Sequence, residues 1–119
     1  MKNDPELPED LLPLPPATFH ILLALVDEER HGYAIIQDVE ARTQGALRLS
    51  AGTLYRSIAR MVEQGLITEV SKRRMVGDDP RRRYYRLTAF GIAVARAEMR
   101  RLSDLVRMAR ACGLKPETV

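Results

Sequence analysis

The chain has a single cysteine, Cys112, no tryptophan and only two phenylalanines. One thiol excludes an internal disulfide, and a reducing cytoplasm is the simplest setting for it. Long apolar runs are missing too. The most apolar stretch, residues 19–26, includes His20 and falls far short of the about 20 residues that a membrane span requires. The acidic opening MKNDPELPED has no apolar core of the secretory kind, so neither export nor a membrane partner is expected. His20, His31 and Cys112 are too scattered for a metal site. His20 reads instead as a helix residue near the core, and Cys112 as a small apolar side chain near a helix end. No Gly-rich phosphate loop, nucleophile elbow or supported carboxylate pair occurs, so the sequence offers no catalytic residues and calls for no cofactor.

What is present is an ordinary globular composition on a one-domain length: 119 residues, 45% hydrophobic and 29% charged. The charge is divided unevenly. Residues 1–40 carry two Lys/Arg against nine Asp/Glu, while residues 41–119 carry seventeen against seven. A basic half on a nearly neutral chain suits a polyanionic partner as well as it suits a solvated surface.

Residues 1–14 are acidic, proline-containing and without period, and read as a flexible tail. Pro15 and Pro16 introduce a first helix over about 16–27, since proline is tolerated in a first helical turn. The run Asp27-Glu28-Glu29-Arg30 breaks the apolar pattern as a turn. Gly32, Ile35, Ile36 and Val39 share one face of a second helix, about 32–43, with Gly45 as its stop. Ser50 is a good N-cap for a third helix, about 51–64, whose buried stripe is Leu54, Ile58, Met61 and Val62 and which Gly65 closes. The period then changes to two. Leu66-Thr68-Val70 and Tyr84–Thr88 read as the strands of a hairpin with a long tip at 75–80. Thr88 can cap a last helix, about 89–111, ended by Gly113. Its Ile92, Ala95, Met99, Leu102, Val106 and Ala109 alternate spacings of three and four, a seam for another helix. The fold class expected is mainly α with a small β-hairpin.

Two constellations stand out. The open face and leading turn of the third helix present Ser50, Thr53, Arg56, Ser57 and Arg60, behind a small leading turn of Ala51-Gly52. A helix that enters a DNA major groove is built this way, with short polar and cationic groups in front of a buried stripe. A solvated amphipathic helix is built the same way. Beside it, the hairpin carries Lys72, Arg73 and Arg74 on one flank and Arg81, Arg82 and Arg83 on the other. Residues 72–86 hold seven Lys/Arg against two Asp. Like charge at this density repels itself unless an anion is near, and duplex DNA supplies about one charge per 1.7 Å.

Four stretches in order carry a family resemblance: His31-Gly32-Tyr33-Ala34-Ile35, Ser50-Ala51-Gly52-Thr53-Leu54-Tyr55, Glu63-Gln64-Gly65-Leu66-Ile67 and residues 83–91 (RYYRLTAFG). Together, over roughly 17–112, the chain resembles the PadR family of bacterial transcriptional regulators. The resemblance implies a winged helix-turn-helix over 15–88 and a dimerisation helix over 89–112. It also implies a homodimer, and a palindromic double-stranded DNA operator that is usually repressed. By motif position Tyr33 lies near the phosphate backbone, Gly52, Thr53 and Tyr55 begin the recognition helix, and the basic hairpin is the wing. Ala51 and Arg56 stand where the family often has prolines, so operator sequence does not transfer from relatives. A single C-terminal helix places the chain in the short branch. A small-molecule effector is left open, as is a rival reading in which the winged helix binds protein and not DNA. That rival calls for an apolar or acidic third-helix face.

Overall fold

The computed structural model describes residues 7–70 and 81–117. Among the described residues four α-helices surround one core: α1 Pro16–Ala24, α2 Gly32–Arg42, α3 Ala51–Glu63 and α4 Ala89–Ala111. A small sheet is made of β1 Arg30–His31, β2 Ile67–Val70 and β3 Tyr84–Leu87, in the order β1-β3-β2 with both pairings antiparallel. The mainly helical architecture with its hairpin is the one expected.

α1 is apolar on every side, and such a helix needs neighbours all round. It touches α2, α3 and α4, and Ile21, Leu22 and Ala24 are fully buried. It ends at Ala24, three residues before the expected boundary, because Arg30 closes the charged turn back onto it. Arg30 Nε donates to the Ala24 carbonyl (2.7 Å), and its guanidinium pairs with Glu28 (3.2 Å) and Asp38 (3.4 Å). The turn then leads into β1, which lies against β3 with Arg30 opposite Tyr85 and His31 opposite Tyr84.

α3 follows its expected bounds to within a residue. The Ser50 hydroxyl accepts from the Thr53 N–H (3.1 Å), satisfying one of the free donors of the first turn. Leu54, Ile58 and Met61 are buried, each contributing about 1.5–3 kcal/mol of transfer free energy. Val62, expected in that stripe, is 43% exposed. The stripe that packs on α1, α2 and β2 is narrower than the spacing suggests and leaves Val62 out. Gly65 takes φ +77° and lets the Leu66 N–H reach back to the Met61 carbonyl (2.9 Å), ending the helix.

The α3–β2 corner and the start of α4 are locked together. The Thr88 hydroxyl accepts from the Gly91 N–H (2.9 Å) and donates to the Gly65 carbonyl (2.5 Å), while the Thr88 N–H bonds the Leu66 carbonyl (3.1 Å). Gly91 is buried against that same carbonyl. A Cβ there would collide with the Leu66 oxygen and stand 3.0 Å from its carbonyl carbon. Gly91→Ala is therefore expected to destabilise by about 1–3 kcal/mol, the usual range for overpacking, although Gly→Ala within a helix ordinarily stabilises. The obstacle is backbone and cannot rotate away. Urea denaturation of the variant checks this; an unchanged or higher midpoint would contradict it.

The expected flexible tail is in part a docked segment. Residues Pro8–Leu11 form a 3-10 turn packed on α4, Leu14 is buried, and Leu11 and Leu12 pack against the core. Proline interrupts these leucines, so they show no helical or strand period, yet together they cover apolar surface. The anchor is Glu98 on α4, which is 2% exposed and accepts from the Leu14 N–H (3.2 Å) and from Arg101 (2.6 and 2.9 Å). The Arg101 hydrogen bonds, helped by the Leu14 N–H and opposed by burial, hold the Glu98 carboxyl below the usual carboxylate range.

Candidate nucleic-acid interface

Three elements present the candidate contact residues, and an open cleft brings parts of all three together. The first is the front of α3. Gly52, Arg56 and Arg60 are exposed along it, with Ser50 at its head. Arg56 folds back over the leading turn, its Nη1 3.3 Å from where a Cβ on Gly52 would stand. Its charge thus sits near the positive end of the α3 dipole, and the two together favour an anionic or electron-rich ligand. Thr53 is less open than its spacing suggests: it is half-buried, and its Oγ1 accepts from the Ser50 hydroxyl (3.1 Å). It serves the cap more than the groove.

The second element is the N-terminus of α2. The His31 Nδ1 accepts from the Ala34 N–H (3.2 Å) and caps the helix, while the ring meets Tyr84 edge-on at 5.3 Å. Tyr33 is 59% exposed. The third is the β3 side of the hairpin, where Arg81, Arg82 and Arg83 are exposed. Arg83 shares its charge with Glu69 across the hairpin (3.6 Å). Between these elements lies an open cleft of about 320 Å³ lined by His31, Gly32, Tyr33, Tyr55 and the three arginines. Lys72, Arg73 and Arg74 lie outside the described residues. Tyr85 is buried, which pushes its phenol up from the usual tyrosine value, with Glu69 and Tyr55 adding to the shift and Arg83 opposing it.

Sequence reasoning names the α3 face and Arg81, Arg82 and Arg83, which are exposed here, but misses β1. That two-residue strand brings His31 and Tyr33 alongside the wing, and its partner lies more than fifty positions away in the chain. A strand so short has no period to read. Among the described residues no group of three or more His, Cys, Asp or Glu could hold a metal ion. No helix among them is long and apolar enough to cross a membrane. Cys112 is exposed at the C-cap of α4, not packed as an apolar side chain would be.

α4 divides along its length. Gly91, Val94, Ala97 and Glu98 face the core. Of the expected seam, Ile92, Met99, Leu102 and Val106 are exposed in the single chain, and Ala95 and Ala109 are half-buried. Leu105 and Met108, which lie off that seam, are also exposed. They continue the spacing of Val94, Glu98 and Arg101, so the core-facing stripe runs on for about two turns past the body of the domain.

A helix-turn-helix followed by a basic two-stranded wing defines a winged-helix DNA-binding regulator. The chain belongs to the transcriptional regulator PadR-like family, whose model matches residues 21–97. It is 38% identical over 88 residues to the transcriptional regulator Rv3488 of Mycobacterium tuberculosis, covering 74% of this chain and 77% of that protein. Its fold matches that of a transcriptional regulator from Clostridium thermocellum with TM-score 0.67 and 26% identity, over 82% of this chain and 89% of the other. A PadR-like transcriptional regulator from Bacillus cereus shares the fold with TM-score 0.68 at 21% identity, over 84% and 93% of the two chains. The family is one of transcriptional regulators and not of enzymes.

Proposed function

We propose that this regulator is a cytoplasmic repressor that binds a palindromic DNA operator as a homodimer. In this reading the α3 face enters the major groove and the wing follows the backbone. The observation that carries it is the cleft lined jointly by the α2 N-terminus, by Tyr55 of α3 and by Arg81, Arg82 and Arg83, with Arg56 and Arg60 exposed on the same helix as Tyr55. The rival reading, a protein-binding module, calls for an apolar or acidic face where Arg56 and Arg60 stand. α4 is the dimer helix in this proposal, because its apolar residues continue where the domain body ends. A small-molecule effector that releases the operator completes the proposal. Phe90 is the sole aromatic of α4, which disfavours a stacking site for flat ligands at the dimer helix.

Selection of bound sites from random duplex DNA tests the reading. A two-fold symmetric consensus with half-sites about 34–36 Å apart supports it, and no enrichment of any sequence would overturn it. Compounds that release the selected duplex would identify the effector. The wing gives a separate expected result. Arg82 is exposed and its neighbour Arg83 is shared with Glu69, so Arg82 is the better phosphate ligand. Arg82→Ala should weaken binding to all duplexes alike and flatten the plot of log K against log salt by about 1 unit for each phosphate no longer neutralised. A weakening confined to one operator sequence would contradict a backbone role.

A further inference from the structure

The geometry points to Gly32 as a positioning residue for DNA recognition: the space its side chain would fill is taken by the phenol of Tyr55, and this seat sets α3 against α2 and the wing. The inference rests on the DNA-binding reading above. Gly32 opens α2 and is buried, and its backbone is not among the glycines with positive φ. Alanine is therefore compatible with the local conformation, and clearance is what the position demands. A Cβ would run into the Tyr55 hydroxyl and stand 2.8 Å from its Cζ and 3.2 Å from Leu54 Cδ2. The Cβ has no room on the inner side either, because the Leu54 Cδ2 that stands 3.2 Å from it belongs to a fully buried side chain. The Tyr55 ring, half-exposed at the cleft, must then swing outward into it or α3 must shift.

Either movement reaches the DNA-facing surface. Tyr55 adjoins Arg56 on α3 and is 50% exposed, so its outer edge faces the cleft that Tyr33 and the wing arginines share. Gly32 follows directly on His31, which is paired to β3 and set edge-on against Tyr84. One ring thus bears on the α2 N-terminus, on the recognition helix and on the root of the wing. Displacing groups by about 1 Å is enough to spoil an interaction that depends on several contacts at once. A residue that served stability alone would lower affinity only through the folded fraction, so affinities compared per folded protein would not change.

The test is a double-mutant cycle with Gly32→Ala, Tyr55→Ala and the pair together, on the duplex that wild type selects from random DNA. Gly32→Ala alone should weaken binding about tenfold or more, with the helical circular dichroism retained. In the Tyr55→Ala background the same change should cost less than about twofold, because the clash is gone. Wild-type affinity for Gly32→Ala, or an equal effect in both backgrounds, overturns the inference. Should Gly32→Ala fail to fold, recovery of folding in the double variant supports the seat and its failure overturns it. A wild type that selects no duplex sinks the DNA reading and the positioning role with it. The contact is then still read separately, by the nuclear Overhauser effect between the Tyr55 ring and the Gly32 amide.

Discussion

Leu102→Glu should convert the protein to a monomer at micromolar concentration and with that abolish tight operator binding. In the single chain every residue from 102 to 108 is exposed, so a glutamate at 102 meets water and the domain should fold as before. In a two-fold dimer built on the apolar stripe of α4 the same side chain lies between the facing stripes of two copies. Removing a leucine from such an interface forfeits about 1.5–3 kcal/mol of burial, and stranding an unpaired carboxylate there costs about 3–5 kcal/mol. Symmetry makes each effect occur twice. Since every 1.4 kcal/mol is tenfold, even the smaller of these costs, about 9 kcal/mol over both subunits, should make the dimer dissociate about a million-fold more readily. A monomer carries one recognition helix and reads one half-site, so operator affinity should fall with the dimer. Sedimentation velocity at several concentrations checks the first effect and gel shift with the selected duplex the second. A variant that remains dimeric, or a wild type that is monomeric throughout, would remove α4 as the dimer helix.

Much of this domain is legible in the chain because its signals are local. Ser50 and Thr88 are hydroxyl caps, and the structure shows each accepting from a backbone N–H three residues on. Gly65 and Gly113 have the positive φ that a helix C-terminus asks for. The α3 stripe and the change of period at the hairpin depend on spacing alone. What stays hidden depends on residues far apart. Gly32 and Gly91 look like ordinary helix glycines until Tyr55 and the Leu66 carbonyl are placed beside them. Leu14 and Glu98 form a buried contact across 84 positions, and neither end shows it. Leu105 and Met108 escape the sequence pattern for a different reason. The alternating spacing describes a single stripe, whereas α4 carries two: one toward its own core, and one toward the outside. The extension of the first beyond the domain becomes visible only when the body is seen to end near Arg101.

The largest effect on specificity is expected from Arg56. It stands where the family often has proline, so it supplies a charge and five donors that relatives with proline lack. Its guanidinium lies over Gly52, at the head of the recognition helix, and nothing but hydrogen stands between it and the helix backbone there. Reaching outward from that position it can pair bidentately with the O6 and N7 of a guanine, an interaction worth about 1–3 kcal/mol of discrimination. Both half-sites of a palindrome would lose it at once. Arg56→Ala should therefore cost about 2–6 kcal/mol on the operator if the half-sites are additive. Binding to unrelated duplex should fall far less, by the amount of one weak electrostatic interaction per subunit. Stability should barely change, because the side chain is exposed and alanine is the best helix former. Thr53→Ala should behave differently. Its hydroxyl is engaged with Ser50, so it should lower the thermal midpoint slightly and leave specificity nearly intact. The two variants are compared by competition binding against operator duplexes changed one base pair at a time. With Arg56 as reader, the alanine variant becomes indifferent to one base pair in each half-site and keeps its preferences elsewhere. If it keeps its full preference at every position, Arg56 touches only phosphate, and readout passes to Arg60 and the rest of the α3 face.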